Sequence, residues 1–432
     1  MSLYKNYFYS KRLSTYVALT GKRFLSTKTT NAFRSETSTS VSPSKPPMEE
    51  FVSSKEAPKS NLLESKQHFY MNKTLDQYCK KRPTPLTLRQ LMFYERHINE
   101  ERLLKSANYV RTELPIRIAH RIREFQKLPY ILGTNPNMES VYDLYWQAFE
   151  RLRKVPEIHT MAQNEEFCDI LQESLDAHSV IIPKLTKGIN ECDEIQRSII
   201  SAEKLDDFMN ATLRSRISRR VITEHHLVLS NRKESIFSEC SSYDVLTKCI
   251  CLVKANITNT DTAVNNNRLP EPNIRMIGSD TKFTYVSDHI EYIIYQLLSN
   301  AYRHTLETAT DYIPKDIIVT LCSNETNVLF RVSDQGGGMS KELHSSLWSF
   351  CHYVNNLNRV DRLEAKVHEQ EKLALRLGIG LPMSKVYAEY WGGDINIMTM
   401  EGYGTDAYVR IPKLGIQNEN IATNSPLNEA IM

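Results

Sequence analysis

The apolar residues of this 432-residue chain change their period partway along it, and that change limits what the chain can fold into. Between about Gln67 and Asn231 helical periodicity dominates. Leu104, Ala107, Val110, Leu114 and Ile118 recur at three- and four-residue spacing, as in a helix with one core-facing stripe. Further amphipathic segments follow at Val141–Leu152, Glu166–Leu185 and Ala202–Leu229, with Pro129, Pro136 and Pro156 in the expected loops. Glu113-Leu114-Pro115 interrupts the first stripe, which predicts a kink or a restart there. Long helices joined by short loops predict a helical bundle for this half.

After about Phe237 the period becomes two. Ile317, Val319 and Leu321 recur at every second position, as do Val328, Phe330 and Val332, and then Ile395, Ile397 and Thr399. These are strands with one buried face. Helical stretches at Asp288–Thr305 and Leu381–Trp391 lie between them. Separate runs of strands and helices predict an antiparallel or mixed sheet with helices on one face, so the chain is an α+β protein with a bundle ahead of an α/β sandwich.

Composition narrows the setting. A formal charge of +3 is too small to argue for a nucleic-acid partner. No stretch approaches the roughly 18 apolar residues of a membrane-spanning helix. The eight cysteines are scattered, without a second close pair for a zinc site, and predict reduced thiols. Lys5, Lys11, Arg12, Lys22, Arg23, Lys28 and Arg34 all precede the first acidic residue, Glu36, among Ser, Thr and bulky apolar residues. That is the pattern of a mitochondrial targeting segment. The expected organisation is targeting at 1–25, a Ser/Thr/Pro-rich linker at 26–65, a helical-bundle domain at 66–235, a nucleotide-binding domain at 236–415 and a flexible tail at 416–432.

Four motifs carry chemistry. On the helix 288–305, Gln296, Asn300 and Arg303 line up opposite the apolar face. The strand Val328–Val332 runs into Ser333-Asp334-Gln335-Gly336-Gly337-Gly338-Met339, where glycines let the backbone turn and approach a ligand while Asp334 can accept from an exocyclic amine. Gly378-Ile379-Gly380-Leu381-Pro382 opens a helix whose free N–H groups suit phosphates. Glu401-Gly402-Tyr403-Gly404-Thr405 is a glycine turn between strands, with Thr405 available to an adenine or its water. Each is weak alone, and together in this order they predict an ATP pocket.

That order resembles the nucleotide site of the gyrase, chaperone, histidine-kinase and MutL (GHKL) superfamily. The resemblance implies nucleotide contacts from Asn300, Arg303, Asp334, Gly336, Gly338, Met339, Gly378, Gly380, Leu381 and Thr405, with Asn300 holding Mg²⁺ against the phosphates. More narrowly, the chain resembles the mitochondrial 2-oxo acid dehydrogenase kinases, on strings such as Glu113-Leu114-Pro115-Ile116-Arg117-Ile118-Ala119-His120, Gly133-Thr134-Asn135-Pro136, Ser215-Arg216-Ile217 and Tyr387-Ala388-Glu389-Tyr390-Trp391-Gly392-Gly393. Such kinases use ATP to phosphorylate a serine of the thiamine-dependent decarboxylase component in the mitochondrial matrix and so inactivate it. They dock on the lipoyl-bearing acyltransferase core, and a homodimer, or a heterodimer with a related kinase, is the expected assembly.

The chain departs from the family at three places. Gln296 stands where the family has a Glu taken as the base for the serine proton, and general-base help is worth about 10²–10⁴-fold. Gln cannot hold a proton, although it can orient the hydroxyl. His178 matches a family His associated with catalysis and is the candidate substitute base. Arg376 replaces a family glycine, and His352-Tyr353-Val354-Asn355-Asn356 replaces a short Ser/Thr-containing segment. The expected function is therefore an active serine kinase, with pyruvate dehydrogenase slightly favoured over the branched-chain enzyme. The alternative is a catalytically weak regulatory subunit partnering a related kinase. A histidine autokinase using His225 or His226 is disfavoured, because both residues fit helix packing.

Overall fold

The computed structural model describes residues 72–191, 200–231, 237–261, 271–308, 314–351 and 379–421. The expected targeting segment and linker lie outside them, as do Gly378, Arg376 and residues 352–356.

Helix starts in the first half are set by local side-chain caps. Thr87 and Gln90 form a capping box at α1 (Leu88–Arg96), and Asn99 accepts the Arg102 N–H at 2.8 Å to begin α2 (Glu100–Gln126). Asn135 caps α3 (Pro136–Leu152). Pro136, expected in a loop, is thus its first helical residue, where no N–H is needed. A second capping box, Thr160 with Gln163, starts α4 (Met161–Ala177), which passes through a 3₁₀ turn at His178–Val180 into α5 (Ile181–Asn190). α6 (Ala202–Asn231) completes the bundle. Val110, Leu114 and Ile118 of α2 meet Tyr145 and Phe149 of α3, Phe167 and Leu171 of α4, and Leu213, Ile217 and Val221 of α6 in a continuous core. Among the described residues no helix is long and apolar enough to cross a membrane.

α2 runs through Pro115 without the expected restart. The proline gives up one helical hydrogen bond, a cost of about 3 kcal/mol. Its neighbours Leu114, Ile116, Ile118 and Ala119 are all buried, and tertiary packing overrides the local preference. His225 and His226 are packing residues, as expected. His225 Nε2 lies 3.1 Å from the Leu91 carbonyl, and His226 bonds Ser106 and Asn164 in the interior.

In the second half, β1 (Phe237–Ser241) pairs antiparallel with β3 (Lys282–Val286). Between them in sequence lie α7 (Ser242–Asp261) and β2 (Ile274–Ile277). The larger sheet has the order β2-β4-β5-β7-β6, with β4 (Ile317–Ser323), β5 (Asn327–Asp334), β6 (Asp394–Met400) and β7 (Gly404–Pro412). β2 runs parallel to β4 and the other pairs are antiparallel, so the sheet is mixed. Ile317, Val319, Leu321, Val328, Phe330, Val332, Ile395 and Ile397 point to its buried face, under α8 (Ser287–Thr308) and α10 (Gly380–Tyr390).

The last described residues correct one expectation. Residues 416–421, expected to begin a flexible tail, return to the bundle: Asn418 bridges Thr87, and Glu419 is only 4% exposed. The cause is a buried charge. Arg117 is 1% exposed, and it donates from Nη2 to Glu419 Oε1 at 2.7 Å and from Nε to Glu113 at 3.2 Å. Glu419 also accepts the Leu86 N–H at 3.0 Å and the hydroxyl of Tyr390, the last residue of α10. A buried guanidinium needs such partners. Glu419→Ala is expected to lower the unfolding free energy by about 3–5 kcal/mol, the usual effect of stranding one member of a buried pair. Chemical denaturation measures it, and a loss under about 1 kcal/mol would show that Arg117 finds other compensation.

Candidate active site

α8 serves two masters. Its apolar residues Ile290, Ile293, Ile294, Leu297, Leu298 and Ala301 are buried against the sheet and neighbouring helices. Its polar line does not simply face solvent: Gln296 is 4% exposed, Asn300 half-buried and Arg303 exposed. The line therefore emerges from beneath a covering element. That element is the start of α10, since a Cβ built on Gly380 would sit 2.4 Å from Gln296 Oε1. The Nε2 of Gln296 is buried with no hydrogen-bond partner, and so is the hydroxyl of Tyr292 one turn earlier. An unsatisfied buried donor typically costs about 1–3 kcal/mol.

The end of β5 approaches the same helix from the other side. A Cβ on Gly336 would lie 2.9 Å from both the His304 carbonyl carbon and the Thr305 nitrogen, so only glycine lets this turn lie against α8. Asp334, at the strand end, stands opposite Thr405 of β7. Its Oδ1 accepts the Gly336 N–H at 2.9 Å. Burial raises the Asp334 carboxyl above its ordinary value, against the opposing backbone hydrogen bonds from Gly336 and Thr405.

Gly338 has φ +68°, and a Cβ there would meet the Met400 carbonyl oxygen at 2.1 Å. The β6–β7 turn is fastened to this segment by the Gly402 N–H donating to the Gly337 carbonyl at 2.8 Å. Met339 donates its N–H to Thr399 Oγ1 at 2.9 Å, and that oxygen lies 3.3 Å from Thr405 Oγ1. Thr399 thus ties the glycine turn to the Thr405 hydroxyl. In the sequence it is visible only as one step of a strand alternation, because the contact spans 60 residues. The opening of α10 has no side-chain cap: Ile379 makes none, and Gly380 and Leu381 lead the helix.

The structure thus gathers Gln296, Asn300, Asp334, Gly336, Gly338, Met339, Gly380, Leu381 and Thr405 around α8, the glycine turn and the start of α10, with Arg303 at the exposed end of the line. Gly378 is not among the described residues. His178 stands elsewhere. It sits at the 3₁₀ turn in the bundle, 3.4 Å from the Leu144 carbonyl and edge-on to Tyr145, lining a small interior cavity with Leu114, Leu171, Arg216 and Arg219. Burial lowers its pKa to about 3, which leaves a weak proton acceptor. Its described contacts belong to the bundle, so they lend no support to the role of substitute base. Among the described residues no group of three or more His, Cys, Asp or Glu could hold a metal ion.

A sheet covered by α8 and α10, with backbone brought against α8 by glycine at a strand end, defines the GHKL class of ATP-binding module. Residues 285–415 match the family of histidine kinase-, DNA gyrase B- and HSP90-like ATPases, and residues 85–254 match mitochondrial branched-chain alpha-ketoacid dehydrogenase kinase. The chain is 29% identical to the mitochondrial pyruvate dehydrogenase (acetyl-transferring) kinase 2 of Saccharomyces cerevisiae, across 81% of this chain and 86% of that protein. It is also 29% identical to the mitochondrial pyruvate dehydrogenase (acetyl-transferring) kinase of Arabidopsis thaliana, across 79% and 93% respectively. Isozyme 1 of that mitochondrial kinase from Rattus norvegicus is 28% identical, over 80% of each chain. Both halves of the chain are thus similar to the mitochondrial 2-oxo acid dehydrogenase kinases, protein serine kinases of the GHKL type.

Two outcomes follow from this geometry. Asp334→Ala is expected to weaken ATP binding about tenfold or more, the worth of one hydrogen bond to a charged group. Calorimetric titration measures it, and unchanged affinity would place the adenine elsewhere. Burial also holds the imidazoles of His178, His226 and His289 at about 3 and that of His225 at about 4. The unfolded chain takes up these protons below about pH 6.5 and the folded chain does not, so stability is fully present above that pH and falls on acidification. Each histidine contributes about 1.4 kcal/mol per pH unit between 6.5 and its folded pKa. Denaturation series from pH 7 to 4.5 test this, and a flat profile would contradict the burial of neutral imidazoles.

Proposed function

We propose that the chain is an ATP-dependent serine kinase that phosphorylates and inactivates the decarboxylase component of a mitochondrial 2-oxo acid dehydrogenase complex, acting in the matrix. Pyruvate dehydrogenase is the favoured substrate. The relatives from yeast, plant and rat are all named pyruvate dehydrogenase kinases, although the helical half matches the branched-chain kinase family. The observation that carries the kinase reading is the convergence of Asp334, Gly336 and Gly380 on the polar side of α8. In this reading Asp334 and Thr405 receive the adenine, and the uncapped start of α10 receives the phosphates. The half-buried Asn300 offers an oxygen suited to Mg²⁺, an ion that binds few protein ligands alongside phosphates and water. When bound, that ion neutralises phosphate charge.

Gln296 orients the serine hydroxyl in this scheme without removing its proton. Phosphoryl transfer depends mainly on positioning and charge neutralisation, so such a site retains activity at a reduced rate. The lipoyl-bearing acyltransferase core is the proposed docking partner, and a homodimer or a heterodimer with a related kinase is the proposed assembly. Gln296 also favours a second reading, a catalytically weak regulatory subunit of such a pair.

Incubation of the full chain with Mg-ATP and each purified dehydrogenase complex tests the proposal, with Asn300→Ala as the inactive control. Acid-stable phosphate on the pyruvate dehydrogenase decarboxylase component is the expected result. Phosphate on neither complex would overturn the kinase reading. A strong rise from near zero on Gln296→Glu would favour the regulatory one.

A further inference from the structure

One rung of the larger sheet ends the core, and the next begins the site. Val332 of β5, Ala407 of β7 and Ile397 of β6 are direct cross-strand partners, and all three are buried. Side chains two residues further along a strand point to the same face. The next rung on that face is therefore Asp334, Thr405 and Thr399, again direct partners across the three strands. All three of these polar residues are half-buried. Thr405 stands between the other two, because β7 lies between β5 and β6.

A threonine hydroxyl has one proton to donate and two lone pairs to accept with. Thr399 Oγ1 accepts the Met339 N–H at 2.9 Å. Its other polar neighbours are the Gly404 carbonyl oxygen and Thr405 Oγ1, each at 3.3 Å. A carbonyl oxygen can only accept, so the Thr399 proton goes to Gly404 and its second lone pair is left for the Thr405 proton. This arrangement pairs both hydroxyl protons, whereas the reverse one sends the Thr405 proton out of the cluster. The Met339 N–H is itself held in place. The glycine turn is fastened to the β6–β7 turn by Gly402 N–H to the Gly337 carbonyl at 2.8 Å and Gly337 N–H to the Tyr403 carbonyl at 3.3 Å. Thr405 then offers only lone pairs to anything beyond the cluster, as the Asp334 carboxylate does.

We propose that Thr399 is a positioning residue that selects a 6-aminopurine nucleotide, by drawing the Thr405 proton inward and so holding Thr405 as an acceptor. The inference rests on the nucleotide reading above and deepens it. An acceptor at Thr405 takes a proton from the C6 amine, or from a water whose other proton goes to the bare N1 of adenine. A 6-oxopurine reverses both features, with a carbonyl at C6 and a proton on N1. Thr399 acts through Thr405 in this role and touches no nucleotide atom.

Calorimetric titration of the full chain with ATP and with inosine triphosphate, in the presence of Mg²⁺, tests this for the natural chain, Thr399→Val and Thr399→Ser. Valine keeps the branched shape and removes the hydroxyl. The natural chain is expected to prefer ATP. Thr399→Val should cut that preference about tenfold, the worth of one hydrogen bond, because the Thr405 proton is then free to turn outward. Thr399→Ser keeps the hydroxyl and should keep the preference. A purely structural Thr399 would weaken both nucleotides equally in Thr399→Val. That result, an unchanged preference in Thr399→Val, no preference in the natural chain, or a serine variant as unselective as the valine one would overturn the proposal while leaving the nucleotide pocket standing. If the natural chain bound neither nucleotide, the nucleotide reading itself would fall with it.

Discussion

Glycines bring backbone against α8 at two places, once against its own backbone and once against the Gln296 side chain, and the site depends on that constraint. Gly336 brings the end of β5 against His304 and Thr305, and Gly380 brings the start of α10 against Gln296. Any Cβ at Gly336 would push the strand end off the helix backbone, and with it Asp334. The opposite face of the same helix is filled with Ile290, Ile293, Ile294, Leu297 and Leu298, so it cannot shift to make room. A rigid helix held from behind by the core presents its polar line at fixed spacing to the two glycine turns. The nucleotide pocket follows from that arrangement.

The bundle is joined to this module by charge as well as by packing. Arg117 lies deep in α2, and its partner Glu419 comes from beyond β7, while Tyr390 at the far end of α10 reaches the same carboxylate. Arg214 of α6 pairs with Glu389 at 2.6 Å, and Asp206 of α6 accepts the Phe350 N–H at 2.7 Å. α10 therefore has its first residue against Gln296 and its other end in a salt-bridged network with the bundle. Both halves bear on the placement of one short helix.

Much of the fold was legible because it is written in local pattern. The bundle stripes, the strands β4, β5 and β6 and the two site helices follow from period and burial of single segments. β1, β2 and β3 are short and partly polar, and they pair across tens of residues, so alternation alone does not reveal them. Pro115 misleads because its cost is local while the packing that offsets it is tertiary. Glu419 reads as a tail residue until its buried partner 302 positions away is in view. Within the site, Asp334 and the glycines are readable from their order. Thr399 is not, since it reaches Thr405 only as a cross-strand neighbour. His178 shows the converse: its match to the family is clear in the sequence, yet its contacts are those of the bundle interior.

The central claim, that the glycine turn after β5 and the start of α10 enclose ATP against α8, is most directly tested by amide hydrogen exchange of the full chain with and without Mg-ATP. Slowed exchange confined chiefly to 334–339, 380–384 and the 296–305 stretch of α8 is the result predicted here. Protection elsewhere, or none at these three segments at saturating nucleotide, would contradict it.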